Sequence, residues 1–308
     1  MGQDKDKGPL NTSCFVQILG VGTDTSCTLP SALLFFDKHR FLFNAGEGFQ
    51  RFCVEHKVKM TKINALLATR VTTEATGGLP GMLLTMADVT AGGLLTGHTG
   101  MSIHGPPGLH GLVNAFRTFV NVRDLGLKVM EIEHDTNEGQ QEMRPIIKNE
   151  AVSISSVLVY PKGYVKPEND FPFAKRRKTA ESSVNAVDID IPSTAIESAV
   201  ACYVCELPDI PGKFLAHKAA SFGVPHGPLY GQLARGIEVV GANGRVVKPE
   251  EVMEPSTPGP VIIVIDCPSE TFIPGLLTSN NGGLRSWTKD MPGSEKGEFF
   301  FCVFVHIY

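Results

Sequence analysis

Residues 66–81 of the chain read LLATRVTTEATGGLPG. The first residues of this stretch are apolar, which predicts a buried strand that runs into a tight turn. The Gly-Leu-Pro-Gly segment at its end predicts the first turn of a helix, where the missing N–H of proline leaves no hydrogen bond unmade. Because α/β folds place functional side chains where a strand ends beside a helix start, we expect a site at this junction.

This turn keeps the outline of a metal-binding motif without its ligands. One family carries Thr-His-x-His-x-Asp-His, two further residues and then Gly-Leu-Pro-Gly at such a junction, and here Thr69 and residues 78–81 keep that spacing. The four ligand positions hold Arg70, Thr72, Glu74 and Ala75. The chain therefore resembles the amino-terminal half of long-form tRNase Z (ribonuclease Z), a tRNA 3′-processing endoribonuclease of the metallo-β-lactamase superfamily.

The residue types at these positions are poor zinc ligands. Zinc needs imidazole, thiolate or carboxylate donors that converge at about 2.0–2.3 Å. Arg70 is always charged and has no lone pair to give, Ala75 has no donor, and Glu74 alone is too few. We therefore expect no metal and no catalytic residue here. For Arg70, either an ion pair with Glu74 or another nearby carboxylate, or a phosphate contact, stays open.

The composition is that of a globular protein. The 308 residues are 42% hydrophobic and 19% charged. The net charge of −4 gives no global basic field, so that any RNA contact needs a local patch. Seven irregularly spaced cysteines and no secretory signal indicate reduced thiols in an intracellular protein. Because no apolar run reaches the ~18–20 residues of a membrane helix, we expect no membrane partner.

Changes in composition divide the chain into four parts. We expect a disordered amino terminus over 1–12, a core over 13–161, a flexible insert over 162–197 and the rest of the core over 198–308. The basic run at 175–178 in the insert could be a nuclear localisation signal, an RNA-contacting patch or a solvated run.

Short apolar runs predict strands, at residues 14–19, 32–36, 41–43, 63–68, 101–104, 153–160, 198–207, 261–265 and 299–307. The spacing of Leu79, Met82, Leu83 and Met86 predicts the buried face of a helix. The last apolar strand would be an aggregation hazard if its edge were exposed. Since the resembled family continues beyond that strand, we expect a fold that is incomplete at its carboxyl terminus or an edge that a partner covers.

Two acidic residues lie at positions that matter in the resembled family. Glu47 stands in Phe-Asn-Ala-Gly-Glu-Gly-Phe-Gln, residues 43–50, a segment that resembles the family's plant-type long forms. We expect Glu47 to cap the helix at 50–56, the alternative being a supporting role beside a metal. Active relatives carry a metal-bridging aspartate near the strand end at Asp266, where we expect a cap or turn role without partners.

Two other metal candidates are weak. Four scattered histidines could in principle rebuild a site: His98, His104, His110 and His134. Cys202 and Cys205 form a C-x-x-C, but residues three apart on a strand point to opposite faces, and no second pair lies nearby.

A second stretch, residues 209–236, resembles the arm that tRNase Z proteins extend from their body. It contains Pro-Gly-Lys-Phe at 211–214 and Gly-Val-Pro-His-Gly-Pro-Leu-Tyr-Gly at 223–231. Prolines and glycines favour an extended tip, and its cations can contact phosphates without reading a sequence. The resemblance implies an RNA-binding set of Lys213, Lys218, Gly227, Pro228, Tyr230 and Arg235. The alternative is a surface excursion with solvated charges.

The resemblance implies a metallo-β-lactamase-like αβ/βα sandwich with a degenerate metal site. The family removes the 3′ trailer of precursor tRNA with two zinc ions held by its carboxy-terminal half. We expect this chain to bind precursor tRNA and to support that catalytic half, without a cofactor or nuclease activity of its own. A stand-alone interaction or regulatory protein from a truncated gene is the alternative. Resemblance favours the nucleus or the mitochondrion, and the cytoplasm stays open.

Overall fold

The structure is a computed structural model that describes residues 14–19, 31–91, 100–116, 119–120, 125–132, 145–164, 199–278 and 300–304. The predicted disordered amino terminus, 1–12, and all but the first three residues of the predicted insert, 162–197, lie outside these ranges.

A six-stranded sheet contains the strand at the start of residues 66–81. Its strands follow each other in chain order: β1 (Cys14–Leu19), β2 (Ser31–Phe36), β3 (Arg40–Phe43), β4 (Ala65–Leu67), β5 (Ser102–Gly105) and β6 (Lys128–Glu131). The first three strands pair antiparallel, and β3 to β6 pair parallel. Because parallel strands end at the same edge, the turns after β3, β4 and β5 lie side by side.

A five-stranded sheet faces the first. Its order is β13 (Phe300–Phe304), β12 (Val261–Asp266), β9 (Val200–Glu206), β8 (Ser153–Val159) and β7 (Pro145–Lys148). The β12–β13 pair is parallel, and the other pairs are antiparallel. A separate two-stranded ribbon consists of β10 (Val239–Val240) and β11 (Val246–Val247).

The helices are short apart from one. They are α1 (Phe49–Glu55), α2 (Thr73–Thr76), α3 (Leu79–Ala91), α4 (Leu109–Phe116), α5 (Ala216–Ser221), α6 (Pro228–Ala234), α7 (Pro249–Val252) and α8 (Ile273–Thr278), with 3-10 turns at Met60–Lys62 and Glu270–Phe272. None of the described helices is both long and apolar enough to cross a membrane.

The two sheets enclose the main core, and helices cover both outer faces. Leu34 and Phe43 of the first sheet pack with Tyr203 and Val264 of the second. Helices α1, α3 and α4 cover the outer face of the six-stranded sheet, and Phe272 with α8 covers that of the other. These four layers are the predicted αβ/βα sandwich. The predicted helix face is confirmed, since Leu79, Met82, Leu83 and Met86 are all buried.

Two glycine turns at the sheet edge are packed backbone against backbone. The Gly78 N–H donates to the Ala45 carbonyl at 2.8 Å, and the Ala45 N–H donates to the Ala75 carbonyl at 2.7 Å. A Cβ on Gly78 would clash with the carbonyl oxygen of Gly46. Packing therefore requires glycine at position 78 of the motif, whether or not a metal binds.

The predicted capping role of Glu47 is wrong. Helix α1 begins at Phe49, and its N-cap is Gly48 in the left-handed region at φ 77°, with no side-chain cap hydrogen bond. Glu47 precedes the cap and its side chain is exposed. Glycine adopts the left-handed conformation without strain, and this conformation sets the direction in which the chain enters the helix.

Candidate functional site

Arg70, at the first of the four altered positions, forms a buried ion pair. Its Nε lies 2.8 Å from Oδ2 of Asp266, the last residue of β12, and the two side chains are only 11% and 1% exposed. Of the two roles that the sequence left open for Arg70, the ion pair with a nearby carboxylate is confirmed. The expectation that Asp266 has no partner is wrong, because the pair joins residues 196 positions apart.

Thr69 and Asn44 extend this contact into a buried network. The Thr69 hydroxyl donates to the same Asp266 Oδ2 at 2.6 Å. The Thr69 N–H donates to the Asn44 side-chain oxygen at 2.8 Å. Asn44 is buried in the left-handed region at φ 59°, which asparagine tolerates better than most residues. The turns after β3 and β4 and the end of β12 thus share one set of polar contacts.

Backbone groups beside the ion pair also join the two sheets. The Ala201 N–H donates to the Thr69 carbonyl at 2.8 Å, and the Tyr203 hydroxyl donates to the Ala68 carbonyl at 2.6 Å. Burial raises the pKa of the Tyr203 phenol well above its usual value, so that the hydroxyl keeps its proton. Three successive residues, 68 to 70, are therefore each bonded to the opposite sheet.

The residues at this sheet edge do not fit a zinc ion. A guanidinium beside the carboxylate supplies positive charge and no lone pair. Thr72 is the N-cap of α2, and Ala75 is buried within that helix without a donor side chain. Within the described residues no three His, Cys, Asp or Glu side chains come together as metal ligands.

The scattered histidines do not converge where the structure describes them. His104 is buried, and its Nε2 lies 3.0 Å from the Ser102 hydroxyl. His110 is exposed on α4. His98 and His134 lie outside the described residues.

Cys202 and Cys205 point to opposite faces of β9, as their spacing predicts. Cys205 packs between the two sheets, whereas Cys202 packs toward α8. Burial raises the pKa of Cys202 to about 12, so that its thiol stays protonated and is a poor metal ligand or nucleophile.

The arm is the whole excursion between β9 and β12, residues 207–260, which is longer than the 209–236 that the sequence suggested. Its two ends run antiparallel as a stem, with bridges between Ile210 and Thr257 and between Phe214 and Met253. A Cβ on Gly212 would clash with the carbonyl oxygen of Glu254 across this stem. The glycine of the Pro-Gly-Lys-Phe motif is therefore explained by the close approach of two chain segments.

The arm has a small hydrophobic core of its own. Its fully buried members are Ala219, Val224, Leu233, Val239, Val247 and Val252, with four aromatic and aliphatic side chains packed around them. Helices α5 to α7 and the β10–β11 ribbon contribute all of these residues except Val224, which lies in the loop after α5. The sequence favoured an extended tip that buries nothing, and that expectation is wrong because the apolar residues between the glycines and prolines converge.

The structure separates the predicted RNA-binding residues into two groups. Lys213, Lys218, Pro228 and Arg235 are exposed, and none of the three cations forms an ion pair with a described residue. Gly227 and Tyr230 are half-buried.

Tyr230 packs within the arm. Its ring centre lies 5.0 Å from that of Phe214 and 4.9 Å from that of His226. Its hydroxyl is 3.4 Å from the Ala216 carbonyl. These contacts join the first turn of α6 to the start of α5 and place Tyr230 within the packing of the arm.

Sequence reasoning missed one further charged contact of the arm. Arg245 pairs with Glu251 at 2.8 Å, and its guanidinium carbon lies 4.4 Å from the centre of the Phe222 ring. Arg245 and Glu251 lie beyond residue 236, where no motif pointed to the arm. They hold the β10–β11 ribbon against α5 and α7.

Comparison with known proteins gives one consistent family. Residues 17–78 match a family model described as tRNase Z endonuclease. The mitochondrial tRNase Z TRZ4 of Arabidopsis thaliana is 39% identical over 97% of this chain, which covers 30% of that protein. The mitochondrial ribonuclease Z of Drosophila melanogaster is 30% identical over 85% of the chain, covering 28% of its own length. The predicted resemblance is confirmed, and the chain spans about 30% of the curated relatives it matches.

A solved structure agrees with the fold. A long-form RNase Z from yeast superimposes with a TM-score of 0.55 at 17% identity, over 96% of this chain and 33% of that one. The predicted metallo-β-lactamase-like fold is confirmed. At this identity the likeness concerns the fold, and the function has to be argued from the residues.

Proposed function

Because this chain is a relative of the tRNase Z proteins over nearly its whole length, we propose that it is the amino-terminal, non-catalytic part of a tRNA 3′-processing endonuclease. It binds precursor tRNA through its arm and supports a catalytic part that lies outside this chain. The relatives' names place them in the mitochondrion, and we assign the same compartment here.

One observation supports this function above the others, namely that the arm combines a rigid interior with unpaired surface cations. Its own core and its tight stem allow it to hold a defined shape outside the sandwich. Lys213, Lys218 and Arg235 are exposed on it. A rigid support lowers the entropy lost when side chains are ordered on a ligand.

The net charge of the chain is −4, so that the body gives no general attraction to RNA. With this net charge, any nucleic-acid contact of the chain has to come from a local group of cations. Cations grouped on one projecting element can contact phosphates and so position an RNA by its shape. Every precursor tRNA shares that shape, whatever its sequence. The charge of Arg70, by contrast, is already neutralised by Asp266 in a buried ion pair.

The test is the affinity of the purified chain for a fluorescently labelled precursor tRNA. Replacing Lys213, Lys218 and Arg235 together by alanine removes three cations and leaves the arm core intact. We expect the Kd to rise at least about tenfold at 0.15 M salt, and the slope of log K against log salt to fall by about 2 to 3.

The matched control replaces Lys57, Lys59 and Lys62, three exposed lysines of the body, by alanine. This variant loses the same charge, and we expect its Kd to stay within about twofold of the parent value. Equal weakening by both triple variants would mean that the net charge matters and that the arm has no special role. An unchanged Kd in the arm variant would refute the proposal.

A further inference from the structure

We propose that the Arg70–Asp266 pair is an inter-sheet latch, which holds the ends of β4 and β12 together and keeps divalent cations away from the Asp266 carboxylate. This proposal concerns the body of the protein and does not depend on RNA binding by the arm.

The position of the pair supports a mechanical role. Arg70 follows β4 of the six-stranded sheet, and Asp266 ends β12 of the five-stranded sheet. Thr69 reinforces the contact by donating to the same carboxylate oxygen at 2.6 Å. Separation of the two sheets at this end would therefore break the ion pair and the threonine contact together.

The burial of the pair distinguishes it from the other ion pairs that the structure describes. Arg51 and Glu55, one turn apart on α1, are 81% and 52% exposed, whereas Asp266 is 1% exposed. A charge left without its partner in the interior is far less stable than one that water can solvate. Loss of either member of the latch should therefore destabilise the fold, while loss of Arg51 should not.

Arg70 and Asp266 leave some of their polar atoms without hydrogen bonds, and this predicts the stability of a double variant. Only Nε of Arg70 bonds to the carboxylate, and Arg70 Nη2, Thr72 Oγ1 and Asp266 Oδ1 are buried without a hydrogen-bond partner in the described structure. Removal of both charges together relieves this desolvation, so that the double variant should be more stable than either single one.

The guanidinium also explains why a cation should not bind here. Arginine cannot lose its proton in a protein, and its charge lies 2.8 Å from the only buried carboxylate that the structure describes at this edge. A divalent ion that approached Asp266 would meet a fixed like charge at short range.

The test is a double-mutant cycle of Arg70→Met and Asp266→Asn, followed by urea unfolding. We expect each single variant to lower the unfolding midpoint by about 1 M, and the double variant to recover at least half of that loss. Arg51→Met, the same substitution in the exposed pair, should leave the midpoint unchanged. Additive losses, or an unchanged midpoint in Arg70→Met, would overturn the latch.

Two further measurements cover the case in which a single variant does not fold. Thr69→Val removes the hydroxyl that donates to Asp266 at 2.6 Å and also lies 3.1 Å from the Asn44 side-chain oxygen. We expect a smaller loss of midpoint, which Thr69→Ser does not show. Added zinc chloride should not change the midpoint of the parent chain. A rise in the parent's urea midpoint on addition of zinc would overturn the exclusion of cations. An equal loss of midpoint in the Thr69→Val and Thr69→Ser variants would overturn the latch.

Discussion

The end of β4 and the arm each contain a glycine at a close backbone approach, Gly78 and Gly212, but the two regions use their charges in opposite ways. At the strand end, Arg70 is turned inward and neutralised by Asp266. On the arm, Lys213, Lys218 and Arg235 point into solvent without a described ionic partner. The comparison teaches that the glycines mark where the backbone approaches another segment closely. The exposure of the charged side chains indicates which region is available to contact a ligand.

The largest effect is expected from a substitution of Gly78 at the end of β4, which tests whether close backbone packing stabilises this edge. Gly78→Ala places a Cβ against the Gly46 carbonyl and the Phe49 side chain, and we expect a loss of about 3 kcal/mol in the free energy of unfolding. Urea unfolding measures it. Gly81→Ala, three residues on in the same motif, is the control, because its Cβ would lie 3.5 Å from Gln50.

We expect the Gly81 variant to be as stable as the parent or slightly more stable, since alanine favours a helix over glycine by about 1 kcal/mol. Equal effects of the two substitutions would mean that the backbone contact between the turns does not hold this edge.

An equivalent pair of glycine substitutions tests whether close packing stabilises the stem of the arm. Gly212→Ala crowds the stem against Glu254, whereas a Cβ on Gly231 of α6 meets no atom within 4 Å. We expect Gly212→Ala to weaken the stem by about 2 kcal/mol, visible as faster hydrogen exchange over 207–260. The exchange of the sandwich should stay unchanged because the arm has its own core.

Gly231→Ala should leave exchange in the arm slow. If Gly212→Ala loosened the sheets as much as the arm, the arm would not be the separate unit described above.

Much of the sandwich could be predicted from the sequence because its strands are continuous apolar runs. The strand predicted over 14–19 has the observed bounds, and the one predicted over 261–265 is one residue longer. The strands β6 and β7 were missed, because each has four residues and neither is fully buried. Short, half-buried strands carry too little pattern to be recognised.

The sequence could not have identified Asp266 as the ionic partner of Arg70. Arg70 and Asp266 are separated by 196 positions, and no local spacing relates residues on two different sheets. The arm was recognised from its glycine and proline motifs, but its core was not. The buried residues there, from Ala219 to Val252, are irregularly spaced and come from three helices, two strands and a loop.

The smallest expected effect concerns pH and again contrasts the interior with the surface. Burial lowers the pKa of His104 from its usual value near 6.5. The unfolded chain therefore binds this proton more readily, and stability falls as the pH drops below about 6.5. For one group the loss between pH 7 and pH 6 is at most about 0.7 kcal/mol.

Replacement by glutamine checks this effect. His104→Gln should flatten the dependence of the urea midpoint on pH. A His104→Gln profile that parallels the parent would show that this histidine does not titrate with unfolding.

Hydrogen exchange of the chain with and without precursor tRNA tests the contrast between the two regions most directly. We predict that added RNA slows exchange in the arm, around residues 213–218 and 227–235, and leaves residues 66–78 at the end of β4 unchanged. Protection over 66–78 with no change in the arm would contradict the assignment of binding to the arm and of stability to the buried pair.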